Sequence, residues 1–330
     1  VKASVLITGA LGFVGRHLFR ELTDAGFEVW ASDLESLCEK PGPPFDMQRV
    51  RACDITRIDN VLEILKETHP GAIVHLAAQS SASKSFKHPR ETFVTNSLGS
   101  LNLFEAARES CPDCSVLAVG SADAYGRQEG NAALDEATPF APVSPYALSK
   151  AAQDLMGIQY WLGYGMKVFR TRSFNHTGPG QTTTFALPSF AFQIASAEAG
   201  LCEPVIEVGN LDVVRDFLDV RDVVRAYRLI LEKGNPGDAY NVCSGRPVVL
   251  KTLLDILMSH ARVKITVKES PGRMRPADIP FLLGDNSKLR TCTGWEPRYQ
   301  IEETLWELLE YWRTETGESS PSDSKKREER

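Results

Sequence analysis

The sequence predicts an α/β fold: a doubly wound parallel sheet with a second, smaller α/β domain. Three observations carry this. Strand and helix signals alternate through the first half of the chain, the pattern of parallel sheets with crossover helices. The first apolar run, Val5-Leu6-Ile7, leads into glycines at intervals of three, Gly9, Gly12 and Gly15. After Arg172 the regular alternation weakens, as it does where a second domain is inserted.

In chain order, Val5–Ile7 reads as a buried parallel strand and Arg16–Ala25 as a helix closed by Gly26. Phe27–Ala31 is the second strand, and a third ends at Cys53-Asp54-Ile55. Ile73–Leu76 is a strand followed by the small residues Ala77 and Ala78. Arg90–Glu109 has a helical pattern, Val116–Val119 is the next strand, and it delivers Ser121 at its C-terminal end. Pro145–Leu162 is a helix with proline near its start, and Val168–Thr171 is another strand. Beyond it come a loop, Asn175–Gly180, a helix Phe185–Ala199, a strand Val205–Val208, a helix Leu218–Glu232 and a strand Ala239–Val242. The expected division is 1–172 plus 216–247 for the sheet domain and 173–215 plus 248–312 for the smaller one, with 316–330 a mobile polar tail.

The glycine spacing has a chemical reading. The first glycine allows a tight turn, the second lets backbone approach a pyrophosphate, and the third allows close helix–strand packing, with the helix N-terminus facing the anion. The unit is therefore a Rossmann-type dinucleotide site, in the spacing G-x-x-G-x-x-G. Asp33 lies 24 positions beyond Gly9, close to the ~20 expected of an acid that binds ribose hydroxyls. An acid there repels a 2′-phosphate, so NAD(H) is favoured; NADP(H) stays open because Lys40 is near enough in sequence to reach such a phosphate. Asp54 is read equally as an acceptor for the adenine amino group and as a plain loop acid. Tyr146 and Lys150 stand four apart on one helix face, so the ammonium is expected beside the phenol, favouring the phenolate.

Composition excludes other classes. Of the 330 residues 42% are hydrophobic and 24% charged, as in ordinary globular proteins, and a net charge of −6 without a basic stripe argues against nucleic acid. No apolar run approaches the ~18 residues of a membrane span, and no secretory leader precedes the first strand, which places residue 1 close to the native start. Seven scattered cysteines fit a reducing cytoplasm, and Cys111-Pro-Asp-Cys114 reads as a turn, so no metal is expected.

Taken in order, Thr8–Gly15, His75-Leu76-Ala77-Ala78, Gly120–Gly126, the Tyr146/Lys150 pair, Asn175–Gln181, Val214–Asp222 and Arg275-Pro276 make the chain resemble an extended short-chain dehydrogenase/reductase of the branch that acts on nucleotide sugars. The resemblance covers roughly residues 4–312. Phe174–Gln181 and Arg215–Asp222 most resemble GDP-4-keto-6-deoxy-mannose reductases, with GDP-mannose 4,6-dehydratases next and nucleotide-sugar 4-epimerases as a further alternative. A non-catalytic dinucleotide sensor is the rival from another class; it has no need of Ser121, Tyr146 and Lys150 together.

The resemblance implies roles. Tyr146 is the general acid/base, Lys150 holds the nicotinamide ribose and lowers the Tyr146 pKa, and Ser121 binds the sugar C4 oxygen. Gly9, Gly12, Phe13, Val14, Gly15, Asp33, Asp54, Ile55, Leu76, Ala77 and Ala78 fall where relatives hold the dinucleotide. Ser80, Asn175, Arg215, Arg275 and Asp278 fall where they hold the GDP-sugar. Asp123 stands where relatives usually carry glutamate, the base that takes the C5 proton in dehydratases. It is shorter by about 1.5 Å, which disfavours dehydration. The resemblance also implies a homodimer through helices 90–109 and 145–162. Leu98, Leu101, Phe104, Leu155, Ile158 and Leu162 recur there at helical spacing, and Val94 and Met156 are the candidates for the face turned away from the sheet.

Overall fold

The computed structural model describes residues 3–39, 42–273 and 278–317. Twelve strands are found among them: β1 (Ser4–Thr8), β2 (Glu28–Asp33), β3 (Val50–Ala52), β4 (Ala72–His75), β5 (Ser115–Ser121), β6 (Val168–Ser173), β7 (Asn175–Thr177), β8 (Val205–Val208), β9 (Val214–Asp219), β10 (Ala239–Val242), β11 (Pro247–Val249) and β12 (Thr266–Glu269). Seven form one parallel sheet in the order β3-β2-β1-β4-β5-β6-β10. Chain direction across the sheet reverses between β1 and β4, so a cleft opens there beyond the strands' carboxyl ends.

The period of two in β1 sends Val5 and Ile7 to one face and Leu6 to the other. Val5 and Ile7 meet Leu18 and Leu22 of the helix Phe13–Asp24 and Val223 and Ile230 of the helix Val220–Lys233. Leu6 joins Val61, Leu65, Leu103 and Phe104 from the helices Ile58–Thr68 and Gly99–Ser110, with Tyr160 of the helix Pro145–Tyr164. Leu289 and Trp295 also belong to the first of these cores. A separate core joins Leu187 and Ile194, Leu253 and Leu257, and Leu305 and Leu309 over Ile206 and Val208 of β8. Beside it, β9 pairs antiparallel with β11 and parallel with β7. No helix among the described residues is long and apolar enough to cross a membrane.

Several element boundaries differ from expectation. The first helix begins at Phe13 rather than Arg16, with Gly12 as its N-cap, so Gly15 lies in the first turn. A Cβ there would stand 2.3 Å from the Ala10 carbonyl oxygen, and its absence is what lets the helix start so close to the turn. β3 stops at Ala52, ahead of Cys53–Ile55. The expected helix 90–109 is a helix Pro89–Phe93, a π-helical turn Val94–Leu98 and a helix Gly99–Ser110. Just beyond that wider turn the Ser100 hydroxyl donates back to the Asn96 carbonyl inside it. Leu218 belongs to β9; the helix starts at Val220 because the Asp219 carboxylate accepts from Arg221 N–H at 2.7 Å and caps it. The last helix runs through Gly317, with Thr316 buried and its hydroxyl bonded to the Trp312 carbonyl at 2.8 Å. The first two positions of the expected tail are therefore helical, and 318–330 lie outside the described residues.

Of the periodic apolar residues on the two long helices, Phe104 points into the core and Met156 packs against it. Leu98, Leu101, Leu155 and Leu162 join Val94 as exposed residues, Leu155 at 57% and Leu162 at 75%. Met156 is thus not an outward residue: it packs against the core, beside the buried Gly157 and Tyr160.

Candidate active site

β5 ends at Ser121, in register with Ser173 of β6, and the chain then makes a short helical turn, Ala122–Tyr125. The Ser121 hydroxyl accepts from Asp123 N–H at 3.2 Å. Facing it, the helix Pro145–Tyr164 is capped by Ser144, whose hydroxyl accepts from Ala147 N–H at 3.1 Å, and begins with Pro145. That start puts Tyr146 in the first turn and Lys150 in the next, both buried. Ser121 hydrogen-bonds the Tyr146 phenol. Burial first, then the Asp123 carboxylate, push the phenol above its ordinary pKa; the Ser121 bond pulls it down.

Lys150 has partners that the sequence did not suggest. Its Nζ donates to Val119 O and Gln153 Oε1, both at 2.8 Å, and burial lowers its pKa to about 7. The shared helix face holds; two of the three lysine donors go to the strand carbonyl and Gln153, and burial is the largest influence on the phenol. Gln153 was missed in the sequence, where a glutamine three residues after a lysine carries no signal. His75 was named from the sequence only as part of the motif His75-Leu76-Ala77-Ala78. It is buried, bonded to Thr8 Oγ1 at 2.8 Å and Ser100 Oγ at 3.0 Å, and burial holds it near 3, hence neutral.

Ser121, Asp123, Tyr146 and Lys150 form the floor of a cavity of about 630 Å³. Its wall at one end is Gly9, Gly12, Phe13, Val14 and Gly15. Gly9 has φ +70°, and a Cβ there would be 2.7 Å from Ala77 Cα, so only glycine lets the turn lie against the end of β4. No side chain caps the helix that starts at Phe13, which leaves its first-turn N–H groups for an anion. Leu76, Ala77 and Ala78 continue the wall, as do Asp54 and Ile55. Asp33 closes β2 with Oδ2 accepting from Leu11 N–H at 3.0 Å and Oδ1 from Leu34 N–H at 2.9 Å; burial raises its pKa. Asp54 spends one oxygen on its own loop, accepting from Thr56 N–H at 2.9 Å and Thr56 Oγ1 at 2.7 Å. The donor set and the glycine cradle fit a dinucleotide.

A smaller cavity of about 80 Å³ shares Ser80, Asp123, Asn175 and Phe185 with the first and adds Arg215 and Asp278. Arg215 Nη2 donates to Asp278 Oδ1 at 3.0 Å, and Asn210 Nδ2 donates to Asp278 Oδ2 at 3.2 Å. Asn175 Oδ1 is buried and meets no donor among the described residues. Arg275 lies outside the described residues. Phe185 and His176, which line the large cavity, were not singled out from the sequence; His176 stacks at 6.4 Å on Phe13. The Cys111–Cys114 segment is a turn closed by Cys114 N–H to Cys111 O at 2.9 Å, and all seven cysteines are free thiols.

Residues 6–308 match the family described as GDP-mannose 4,6 dehydratase. The chain belongs to this family. The proteins similar to it differ in the chemistry they are named for. A GDP-6-deoxy-D-mannose reductase of Pseudomonas aeruginosa is 36% identical over 317 residues, covering 95% of this chain and 98% of that one. Among solved structures, RMD from Pseudomonas aeruginosa complexed with NADPH superposes with a TM-score of 0.82 at 33% identity, over 95% of this chain and 100% of that one. The Thermus thermophilus UDP-glucose 4-epimerase in complex with NAD gives a TM-score of 0.82 at 27% identity, over 94% and 99%. The Rossmann-type sheet is common to all of them.

Proposed function

We propose that the protein reduces the C4 ketone of a GDP-4-keto-6-deoxy-hexose, giving a GDP-6-deoxy-hexose such as GDP-rhamnose, with a nicotinamide dinucleotide as reductant. The observation that carries this is the meeting of Ser121 and Tyr146 in the dinucleotide cleft of a chain 36% identical to a GDP-6-deoxy-D-mannose reductase. When bound, the dinucleotide supplies hydride for C4. Tyr146, protonated at neutral pH because burial and Asp123 hold its pKa high, gives its proton to the developing alkoxide. Ser121 donates a hydrogen bond to the same oxygen. Lys150, with a pKa near 7, takes up the replacement proton and passes it on. Arg215 and Asn175 hold the nucleotide diphosphate and sugar, in a lobe built from 173–215 and 248–312; the unmatched Asn175 acceptor supports a donor from the substrate there.

The family's dehydratase members favour a second reading, 4,6-dehydration with a recycled NAD. The shorter Asp123 speaks against it. The test mixes GDP-4-keto-6-deoxy-mannose with NADH and then NADPH and follows nicotinamide absorbance. Stoichiometric consumption is expected; conversion of GDP-mannose with no net consumption would replace the first reading by the second.

Asp33 supports NADH as the better donor, its carboxylate aimed into the cleft by Leu11 N–H. Asp33→Ala is expected to lower kcat/KM for NADH by ~10–100-fold, the worth of a charged hydrogen bond, and to spare NADPH; a wild-type preference for NADPH would reverse the assignment. Assembly as a homodimer and a cytoplasmic home belong to the same proposal, supported by exposed Leu98, Leu101, Leu155 and Leu162 on adjacent helices and by seven free thiols. Light scattering at micromolar concentration is expected to give twice the 36.4 kDa chain mass; a single chain mass would remove the dimer.

A further inference from the structure

We propose that Arg172 is a positioning residue: through Asp154 and Tyr125 it fixes the loop that carries Ser121 against the helix that carries Tyr146 and Lys150. The proposal rests on the reduction put forward above, in which Ser121 and Tyr146 share one substrate oxygen.

β6 is buried along its whole length, yet it carries two arginines, Arg170 and Arg172. A buried cation is retained only where it is paired and hydrogen-bonded. Asp154 supplies the charge. It sits four residues after Lys150 on the same helix, is itself buried, and accepts from Arg172 Nε at 3.0 Å, from Arg172 Nη2 at 3.3 Å and from Arg170 Nη1. The other side of the Arg172 fork reaches the opposite wall. Nη1 donates to Tyr125 Oη at 3.0 Å and to the Glu136 carbonyl at 2.9 Å. The guanidinium also lies 4.4 Å from the Phe140 ring centre and 5.1 Å from that of Tyr125. Four of its five N–H donors are thereby used.

Tyr125 is held from both ends of its hydroxyl, because it donates onward to Asn241 Oδ1 at 2.7 Å, and Asn241 Nδ2 is tied to the carbonyls of Leu134 at 2.7 Å and Asp285 at 3.2 Å. Tyr125 stands four residues after Ser121, at the end of the short helical turn that Ser121 begins. Asp154 stands four residues after Lys150. Ser121 is thus anchored one turn downstream and Tyr146 two turns downstream on its own helix, and one planar guanidinium joins the anchors. A lysine has no fork with which to make that bridge.

Tyr125→Phe tests this, since it keeps the ring and removes the hydroxyl. It is expected to lower kcat for the keto sugar tenfold or more and leave the dinucleotide Kd within twofold. In a Ser121→Ala background the same substitution is expected to change kcat less than twofold, because its effect passes through Ser121. Independent, multiplying losses would overturn the proposal. Arg172→Lys is expected to match the loss; full activity in that variant would also overturn it. A readout without substrate separates this idea from the reading beneath it. Amides of 121–126 are expected to exchange at least tenfold faster in Tyr125→Phe, with 145–164 unchanged. If the wild-type protein reduces no GDP-4-keto-6-deoxy sugar, the functional reading falls, and unaltered exchange at 121–126 alone decides against the positioning role.

Discussion

The two ends of the cleft are built by different means. At the dinucleotide end, Gly9, Gly12 and Gly15 lie within seven residues of one another, and Asp33 closes the strand paired with theirs. At the sugar end, Ser80, Asn175, Arg215 and Asp278 come from four separate segments, and the bond joining Arg215 to Asp278 spans 63 residues. The first end is rigid because backbone packs on backbone; a Cβ at Gly9 or Gly15 would run into it. The second is held by side chains and keeps an acceptor, Asn175 Oδ1, unmatched among the described residues. A shared cofactor suits the first construction. A varying sugar suits the second, where single side chains are exchanged without disturbing the sheet, consistent with similar proteins that are named for several nucleotide sugars.

Three measurements sharpen that contrast. The largest effect is expected at the seam of the two ends. Tyr146→Phe removes the proton donor and keeps the ring, so kcat should fall by ~10²–10⁴ while dinucleotide affinity stays within about threefold. Retention of more than a few per cent of wild-type kcat would take Tyr146 out of the acid role.

Next is the sugar end. Arg215→Ala should raise KM for the nucleotide sugar by roughly 10–100-fold, from ~1.5–3 kcal/mol of charged hydrogen bonding, and leave KM for the dinucleotide unchanged. Equal rises in both constants would mean that the two ends are not separately built. The Asp278 carboxylate keeps its Asn210 bond in this variant, so the loop is expected to stay folded.

The smallest effect is on stability. Burial brings Lys150 from its ordinary 10.5 down to about 7. Between those values the unfolded chain holds a proton there that the folded chain has released. Folding therefore gains from this group as pH rises from about 7 toward 10.5, and the gain is absent below 7. Lys150→Met should flatten the rise of unfolding free energy across that window in urea titrations; an unchanged slope would show that Lys150 stays charged in the fold.

The local motifs were legible because each is decided by neighbours in sequence. Glycines that permit one turn, a Ser-Pro start to a helix and an acid at a strand end need no distant partner, so Gly9, Asp33, Ser121, Tyr146 and Lys150 all line the cavity as expected. Boundaries failed where a side chain overrode periodicity. Asp219 caps a helix that hydrophobic spacing would begin at Leu218, and the Ser100 hydroxyl bonds back to Asn96 of a wider turn inside a stretch that reads as continuous helix.

The sequence by itself determined the fold class, the glycine turn and the placing of Tyr146 and Lys150 on one face of one helix. Only the tertiary structure decided which way Lys150 points, that Asn175 is left with a free acceptor, that Arg215 meets Asp278, and that Arg172 joins Tyr125 to Asp154. The physical reason is range. Backbone conformation and helix spacing act over a few residues, whereas the pairing of a buried charge depends on whichever distant segment the packed core brings within hydrogen-bonding reach of it.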